Sequence, residues 1–323
     1  MNNNTICIVG GTGFVGQHLT SYLVEQGYKV RILTRHSQRH RNMLLLSGVQ
    51  LRKVDVYDTS ALSNQFYDCH TVINLAGILN DGLQSGYGYN HVHVTLPEKI
   101  GQACLESGIK RLLHMSTLNA DSDKGESYYL RSKGEGETQL QHLARQGLQV
   151  AIFRPSVIFG PGDHFFNQLA TLLTYIPFVF PLACANATFS PIYIGDIVRA
   201  IYFVLTEKPE LDSPYELCGP NTYTLQQLVA YTAQTIGVKR KIIPLSDKWS
   251  LKQAAILERF PKKLFSKDNY ATLQVPSICH QNRLAELEIT PTPVEAIVPK
   301  YLARQDQREN YFRFRQQAQR SQS

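Results

Sequence analysis

The chain has 323 residues, of which 43% are hydrophobic, and it carries a formal net charge of +7. Its length is typical of a large domain with a smaller appended lobe, and the sequence contains no run of 18 apolar residues that would predict a membrane-spanning helix. Six widely spaced cysteines argue against a site of paired metal ligands and favour reduced thiols over a disulfide framework, as in a cytoplasmic protein.

Short apolar runs alternate with helical patterns along the chain. Strands are predicted at 5–10, 29–34, 49–55, 71–76, 110–116 and 149–154, and helices at 14–26, 59–67, 90–107, 128–146, 194–206 and 224–236. Gly27, Gly108 and Gly147 follow three of the helices, where a cap with positive φ is expected. Buried strands without polar alternation, separated by helices, predict an α/β fold with a doubly wound parallel sheet.

The segment GGTGFVG (10–16) follows the first predicted strand and opens the first helix. Its GxxGxxG spacing lets the backbone approach a pyrophosphate at the positive N-terminus of that helix. A purely structural glycine turn is the alternative, but the strand and helix that a dinucleotide site requires are both predicted. The candidate cofactor contacts in this segment are Gly10, Thr12, Gly13, Phe14, Val15 and Gly16.

The end of the second predicted strand carries Thr34 and Arg35, where an NAD-binding protein commonly places an acid. Arg35 begins a basic cluster with Arg39 and Arg41, and residues 26–54 contain no acid. An arginine at this place can hold the 2′-phosphate of NADP. We therefore predict that NADP(H) is preferred and that NAD(H) is possible, with a solvated arginine run as the alternative.

Two further strand ends supply candidate cofactor contacts. Asp55 and Val56 close the third strand and are predicted to face the adenine, with an ordinary strand-end aspartate as the alternative. Leu75, Ala76 and Gly77 follow the fourth strand, where a turn of small residues lets the cofactor pass. No residues have the spacing of metal ligands, so no metal site is predicted.

Tyr129 and Lys133 are four residues apart in the predicted helix 128–146, so they share one face of it. An ammonium about 4 Å from a phenol stabilises the phenolate by about 4 kcal/mol at an effective dielectric near 20, or about 3 pKa units. The pattern therefore predicts a tyrosine that exchanges a proton near neutral pH. The alternatives are a remnant that only holds a cofactor and an accident of spacing.

Taken in order, GGTGFVG, NLAG (74–77), MST (115–117), Tyr129-x-x-x-Lys133 and RPSVIFGPGD (154–163) resemble the extended short-chain dehydrogenase/reductase superfamily, including its epimerases and dehydratases. SPIYIGDIVRAI (190–201) and YELCGPNTYTLQQLV (215–229) resemble its continuation. MSTLNADSDKGESYYLRSKGEGE (115–137) and TPTPVEAIVPKYLARQ (290–305) resemble the 39-kDa accessory-subunit family of respiratory complex I. The resemblance implies a Rossmann fold that binds a nicotinamide dinucleotide. It also excludes the alternative that Tyr129 and Lys133 are four residues apart by chance.

The resemblance also implies roles for individual residues. Tyr129 would donate or accept the proton, while Lys133 would lower the pKa of Tyr129 and hold the nicotinamide ribose. Thr117, or alternatively Ser116, would hydrogen-bond the substrate oxygen, and the segment from Pro155 to Val157 would line the nicotinamide. In the same predicted helix, Gly134 and Gly136 each cost about 1 kcal/mol relative to alanine, which predicts close packing against a neighbour.

Two functions remain open at this point. The first is an oxidoreductase that moves hydride between NADPH and a carbonyl or alcohol. Its small-molecule substrate is unknown, with an apolar, lipid-like compound as one option. The second is a non-catalytic, NADPH-stabilised accessory or assembly protein of a respiratory membrane complex, because the complex I family keeps the Tyr-x-x-x-Lys pattern in a structural subunit. His91 stands where the superfamily commonly has asparagine, either as an ordinary half-buried histidine or as a proton relay.

The chain is predicted to have three parts: a Rossmann domain over 1–155 whose last elements return at about 190–220, a smaller substrate or partner lobe over 156–189 and 221–305, and a basic tail over 306–323. The apolar stretch 172–183 is expected to form a wall of the substrate lobe, with a dip into a membrane interface as the alternative.

Residues 238–323 hold sixteen basic and eight acidic residues, and YFRFRQQAQR (311–320) mixes aromatic rings with arginines. This run is predicted to dock on a membrane surface or a respiratory-complex partner, with a solvated tail as the alternative. We expect a cytoplasmic protein, in the docking case peripheral at the inner face of the membrane. No motif for binding nucleic acid is present.

Overall fold

The six predicted strands and six predicted helices are found within a few residues of their expected positions, with helix 90–107 interrupted by a π-helical segment, and the structure adds further short strands and helices. The computed structural model describes residues 4–35, 40, 43–81, 86–207, 214–259 and 265–303. The strands are β1 Thr5–Val9, β2 Lys29–Thr34, β3 Val49–Lys53, β4 Thr71–Asn74, β5 Arg111–Met115, β6 Gln149–Pro155, β7 Ile158–Phe159, β8 Val179–Leu182, β9 Thr188–Phe189, β10 Ile192–Tyr193, β11 Tyr215–Leu217, β12 Tyr223–Thr224 and β13 Lys241–Pro244. The helices are α1 Phe14–Glu25, α2 Thr59–Phe66, α3 Tyr87–Asn90, α4 Leu96–Glu106, α5 Tyr128–Ala144, α6 Phe165–Tyr175, α7 Ile194–Glu207, α8 Leu225–Thr235, α9 Asp247–Leu257 and α10 Lys267–Thr272.

Seven parallel strands form the central sheet in the order β11-β6-β5-β4-β1-β2-β3. Helices α1 and α7 contribute to the hydrophobic cluster on one face, and α2, α4 and α5 contribute to the cluster on the other. The fold is therefore the predicted Rossmann-like α/β fold with a doubly wound sheet. Because β1 pairs with both β2 and β4, the strand order reverses at β1, and the carboxyl end of this strand is where such folds bind ligands.

The three predicted helix-terminating glycines are confirmed. Gly27, Gly108 and Gly147 have φ angles of 84°, 75° and 102°, a backbone conformation that glycine adopts without steric cost. They end α1, α4 and α5 and return the chain to the amino ends of β2, β5 and β6.

A third hydrophobic cluster lies outside the central sheet and joins α6, α8, β8 and β13. We call these elements, together with α9 and α10, the C-terminal lobe. In β8, Phe180 and Leu182 are buried in this cluster, whereas Tyr175, Phe178 and Val179 are exposed. The expectation that 172–183 forms a wall of the lobe is therefore wrong for these three residues. No helix in the described ranges is long and apolar enough to cross a membrane, and the run 311–320 lies outside those ranges.

Cys218 and Cys279 form a disulfide, so the expectation that all six cysteines are reduced thiols is wrong. Cys218 directly follows β11, and the segment that contains Cys279 runs beside the end of this strand, where the Asn282 amide nitrogen donates to the Cys218 carbonyl at 2.9 Å. The two cysteines are 61 residues apart in sequence, which is why their spacing does not reveal the pairing.

Candidate cofactor and active site

The glycine turn after β1 is shaped by two contacts within the protein. Gly10 has φ 79°, and a Cβ added to it would lie 2.6 Å from the Ala76 nitrogen. A Cβ on Gly16 would lie 2.5 Å from the Cα of Gly11. At Gly13 the nearest protein atom to an added Cβ is 3.4 Å away, so this exposed residue leaves room for a ligand to approach the backbone.

Gly13 is also the N-cap of α1, and no acid lies in the first turn of this helix. The N-terminus of α1 therefore presents a positive potential that favours a phosphate. Phe14 and Val15 are half-buried against the core beneath the turn, and the Thr12 carbonyl accepts a hydrogen bond from Gln17 Nε2 at 2.9 Å. The residues of the turn fit the pyrophosphate of a dinucleotide.

The predicted cofactor contacts after β2 and β3 lie close together. Arg35 is exposed directly after β2, and the Asp55 carboxylate accepts a hydrogen bond from the Tyr57 backbone nitrogen at 3.0 Å. Burial raises the pKa of the Tyr57 phenol, and the nearby Arg35 guanidinium partly offsets this rise. The other arginines of the predicted cluster lie outside the described residues: Arg39 and Arg41.

The turn after β4 brings the cofactor edge of the sheet to α5. Leu75 and Ala76 are half-buried and Gly77 is exposed. A Cβ on Gly77 would lie 3.4 Å from Lys133 Nζ, so the turn and the lysine form one site. By contrast, the Val56 side chain is buried in the core, which leaves its backbone as the part that can face a ligand.

The three predicted catalytic residues meet at this site. The Thr117 hydroxyl is near enough to Tyr129 to lower the pKa of its phenol, and Lys133, buried one helical turn after Tyr129, donates to the Met115 carbonyl at 3.1 Å. The Asp268 carboxylate on α10 accepts hydrogen bonds from the Tyr128 and Tyr129 backbone nitrogens at the start of α5. The C-terminal lobe thus fixes the helix end that carries the tyrosine.

The electrostatics differ from the sequence-based expectation. Burial raises the pKa of the Tyr129 phenol, and the hydrogen bond with Thr117 offsets only part of the rise. Burial also lowers the pKa of the Lys133 ammonium to about 8, although the negative charge of Glu137 acts to raise it. The expectation that Tyr129 exchanges a proton near neutral pH is therefore wrong for this structure, because the loss of solvent around the phenol dominates.

His93 is a site residue that the sequence analysis missed. Its ring is buried, and Nε2 accepts a hydrogen bond from the Ile78 nitrogen at 3.1 Å, so the proton of the neutral ring is on Nδ1, which lies 2.9 Å from Ser132 Oγ. The ring also packs edge-on against Tyr129, with centroids 5.5 Å apart. The predicted candidate His91 instead stacks on Tyr57 at 3.7 Å, so it is the ordinary half-buried histidine of the two alternatives.

A second buried histidine, His114, lies near Lys133. The Asn74 amide oxygen accepts from the Ala76 nitrogen at 3.1 Å, so its amide nitrogen donates to His114 Nδ1, also at 3.1 Å. Burial and the Lys133 charge lower the pKa of His114 to about 3 and that of His93 to about 2. Both rings are therefore neutral at physiological pH, and Lys133 is the charged group near both of them.

The helix glycines confirm the predicted close packing. A Cβ on Gly136 would collide with the His93 carbonyl oxygen, and one on Gly134 would collide with the Ser122 backbone. His93 lies in a π-helical segment, His91–Thr95, between α3 and α4.

The end of β6 forms another side of the site. Pro155 is buried and Val157 half-buried, and the Pro155 carbonyl accepts from the Leu118 nitrogen at 3.2 Å, directly after Thr117. The Ser116 hydroxyl is buried and, within the described residues, has no hydrogen-bond partner, so Thr117 is the residue that contacts Tyr129. In the part of the chain that the structure describes, no group of three or more His, Cys, Asp or Glu residues could hold a metal ion.

Residues 6–218 match the family model described as the NAD dependent epimerase/dehydratase family. NADH dehydrogenase (ubiquinone) 1 alpha subcomplex subunit 9 of Mus musculus is 29% identical over 228 residues, which are 69% of this chain and 59% of that protein. The chain therefore matches less than two thirds of the mouse relative. The subunit of the same name from Dictyostelium discoideum is 26% identical over 300 residues, or 89% of this chain and 81% of that protein. Ceramide reductase of Caulobacter vibrioides is 26% identical over 254 residues, or 78% and 77% of the two chains.

Solved structures share the fold over nearly the whole chain. A UDP-galactose 4-epimerase superposes with a TM-score of 0.72 at 18% identity, covering 95% of this chain and 99% of that chain. DesIV, a dTDP-glucose 4,6-dehydratase from Streptomyces venezuelae solved with NAD bound, gives a TM-score of 0.74 at 18% identity, covering 95% and 97%. At this level of identity, the likeness establishes the fold alone.

Proposed function

Because the chain belongs to the NAD dependent epimerase/dehydratase family, we propose that it is an NADP(H)-dependent oxidoreductase that acts on a carbonyl or alcohol. The observation that carries this proposal is the placement of the Thr117 hydroxyl beside the Tyr129 phenol, whose pKa it lowers, with the Lys133 ammonium buried one helical turn away. Such a hydroxyl pair can bind a carbonyl oxygen and deliver a proton to it. Retention of a nucleotide alone does not require this arrangement.

When bound, the dinucleotide supplies or accepts the hydride. In the direction of reduction, Tyr129 gives its phenolic proton to the substrate oxygen, and in the direction of oxidation the phenolate takes that proton back. Thr117 hydrogen-bonds the same oxygen and orients it. Lys133 has three N–H donors and uses one on the Met115 carbonyl. The other two would hold the nicotinamide ribose, and the positive charge would stabilise the phenolate.

The preference for NADP(H) is supported by the groups at the ends of β2 and β3. Arg35 is exposed and follows β2 directly, where its guanidinium can form charge-assisted hydrogen bonds to a 2′-phosphate. The nearby Asp55 carboxylate accepts a hydrogen bond from the Tyr57 nitrogen, so its charge is already partly compensated. NAD(H) is the weaker ligand in this proposal.

We extend the proposal to an apolar, lipid-like carbonyl or alcohol as the substrate. This extension is supported by the likeness to the ceramide reductase of Caulobacter vibrioides, which covers 78% of this chain. Residues 6–218, which match the family model, contain all three proposed catalytic residues.

The second candidate is an NADPH-stabilised accessory or assembly protein of a respiratory complex I-like membrane complex. The likeness to the complex I subunits of mouse and Dictyostelium discoideum favours it. The glycine turn, Gly77 and Lys133 would hold the dinucleotide without turnover. In this case we infer a cytoplasmic protein bound peripherally at the inner face of the membrane.

The deciding experiment measures NADPH oxidation with a panel of carbonyl compounds, including long-chain ketones, and NADP⁺ reduction with the corresponding alcohols. Tyr129→Phe should lower turnover by about 10²–10⁴-fold and leave NADPH affinity unchanged, because the phenol acts as the general acid. Tyr128→Phe is the matched control, since the adjacent ring is exposed. Turnover that persists unchanged in Tyr129→Phe would rule out the proposed role. Silence over the whole panel, with tight NADPH binding, would favour the accessory function.

A further inference from the structure

The C-terminal lobe exposes large apolar side chains on adjoining elements. Helix α9 contacts β8 through Gln253, whose amide nitrogen donates to the Pro181 carbonyl at 3.3 Å, and β8 pairs in parallel with β13. We call the exposed apolar residues of these elements, of the end of α6 and of the turn before β8 the lobe surface: Tyr175, Phe178, Val179, Ile243, Trp249 and Ile256.

Helix α9 has the reverse of the usual burial pattern of a surface helix. Its two buried residues are the small Ser250 and Ala254, whereas Trp249, Leu251 and Ile256 are exposed. A helix that only packs on its own protein buries its large apolar side chains and exposes its small and polar ones. Trp249 and Ile256 are seven residues apart, so they lie on one face, and that face points away from the protein.

The turn before β8 presents another aromatic ring to solvent. The Val179 nitrogen donates to the Pro177 carbonyl at 2.7 Å and closes a γ-turn in which Phe178 has φ 59°. This conformation is strained for a bulky residue, and the Phe178 side chain, 81% exposed, gains little packing to offset the strain. Val179 and Ile243 lie on the outer face of the β8–β13 pair, because Phe180 and Ile242 point into the core.

The charges around the lobe surface are strongly biased. Residues 239–259 contain six lysines and arginines and two acids. Lys241, Lys248 and Lys252 are exposed, and the Lys252 ammonium lies 4.6 Å from the centre of the Trp249 ring. Residues 304–323 carry five arginines and two acids, so their charge does not favour docking on this surface. An anionic occupant matches it better.

We propose that the lobe surface binds the headgroup region of an anionic lipid bilayer. Exposed aromatic and aliphatic side chains flanked by lysines are the combination that binds a bilayer interface, where the rings enter among the headgroups and the ammonium groups meet lipid phosphates. This surface is separate from the dinucleotide site, so the inference does not depend on the proposed function.

The test is co-sedimentation of the full-length protein with vesicles of phosphatidylcholine alone and of equal parts phosphatidylcholine and phosphatidylglycerol. We expect binding to the anionic vesicles at low salt and its loss in about 0.5 M salt. Lys248→Ala and Lys252→Ala should each weaken binding about fivefold, and Trp249→Ser about tenfold. Phe178→Asn should also weaken binding, and asparagine tolerates the left-handed backbone.

The matched controls are Lys29→Ala and Tyr67→Ser, which remove an exposed lysine and an exposed tyrosine on the Rossmann side of the chain. Both should bind vesicles as the wild type does, and every variant should keep its NADPH affinity. No binding to anionic vesicles, or equal binding by the lobe variants, overturns the proposal. Binding that is lost only in Arg313→Ala and Arg315→Ala also overturns it, because the terminal run 311–320 would then bind the membrane. Binding that requires membranes containing protein overturns it as well, because the partner would then be a protein.

Discussion

Replacing Lys133 with methionine should stabilise the ligand-free protein while weakening its binding of a dinucleotide. Lys133 is 4% exposed, and burial lowers the pKa of its ammonium from 10.5 to about 8. Since one pKa unit corresponds to about 1.4 kcal/mol, charging this lysine inside the fold costs about 3 kcal/mol at neutral pH. Methionine removes the charge and fills a similar volume. The Met115 carbonyl loses a partner, at a cost of about 1 kcal/mol, so we expect a net gain of about 2 kcal/mol in unfolding free energy.

The same lysine gives a pH dependence of defined sign. Its folded-state pKa of about 8 is below the ordinary value of 10.5, so between these two pH values the unfolded chain binds more protons than the folded chain. The contribution of Lys133 to the unfolding free energy therefore rises with pH over this window. Below pH 8, both states are charged and the full cost of burial remains. Tyrosines with raised pKa values make the unfolding free energy fall as the pH rises. The informative quantity is therefore the difference in unfolding free energy between wild type and Lys133→Met.

The assay is urea unfolding of wild type and Lys133→Met at pH 7 and pH 9, with an NADPH titration of each protein. The advantage of the variant should be largest at pH 7 and shrink at pH 9, while its NADPH affinity falls at both. Lys110→Met, at an exposed lysine directly before β5, is the matched control and should change neither quantity. A variant less stable than wild type at pH 7, or an advantage independent of pH, would refute the reasoning.

Three further predictions concern the cofactor, the packing of α5 and the cysteines. NADP(H) should bind about 10- to 150-fold more tightly than NAD(H), and Arg35→Ala should remove this difference in parallel titrations; equal wild-type affinities would contradict it. Gly136→Ala should destabilise the protein by about 1–3 kcal/mol in thermal unfolding, because the added methyl group meets the His93 carbonyl; an unchanged melting temperature would contradict the packing. Titration of the unfolded, unreduced chain should find four thiols, because Cys218 and Cys279 are paired, and six thiols without reduction would argue against the disulfide.

The sheet and the glycine turn could be predicted because the constraints that produce them are local. Each buried strand needs an unbroken apolar run, and the helix-ending glycines need positive φ. Gly16 is required by a contact within the turn, because an added Cβ would meet the Gly11 backbone. Tyr129 and Lys133 could be placed on one face because α5 is a regular helix.

The remaining features depend on contacts between distant segments. His93, rather than His91, lies at the site, in a π-helical segment that helical periodicity does not reveal. The raised pKa of Tyr129 comes from its burial, whereas helical spacing shows only that Lys133 is near. Phe178 is exposed because it lies in a turn between α6 and β8. The apolar composition of that segment predicts burial instead.

The state of Tyr129 favours one direction of the proposed reaction. Burial raises the pKa of the phenol, so at neutral pH the proton stays on Tyr129, which is the form that delivers it to a carbonyl oxygen. Alcohol oxidation needs the phenolate, which becomes accessible only as the pH rises or as the Lys133 charge stabilises it. We therefore expect reduction by NADPH to be the faster direction near pH 7, and oxidation by NADP⁺ to accelerate toward alkaline pH. Initial rates in both directions from pH 6 to 9 test this, and a faster oxidation at pH 7 would contradict the assignment of Tyr129 as a protonated general acid.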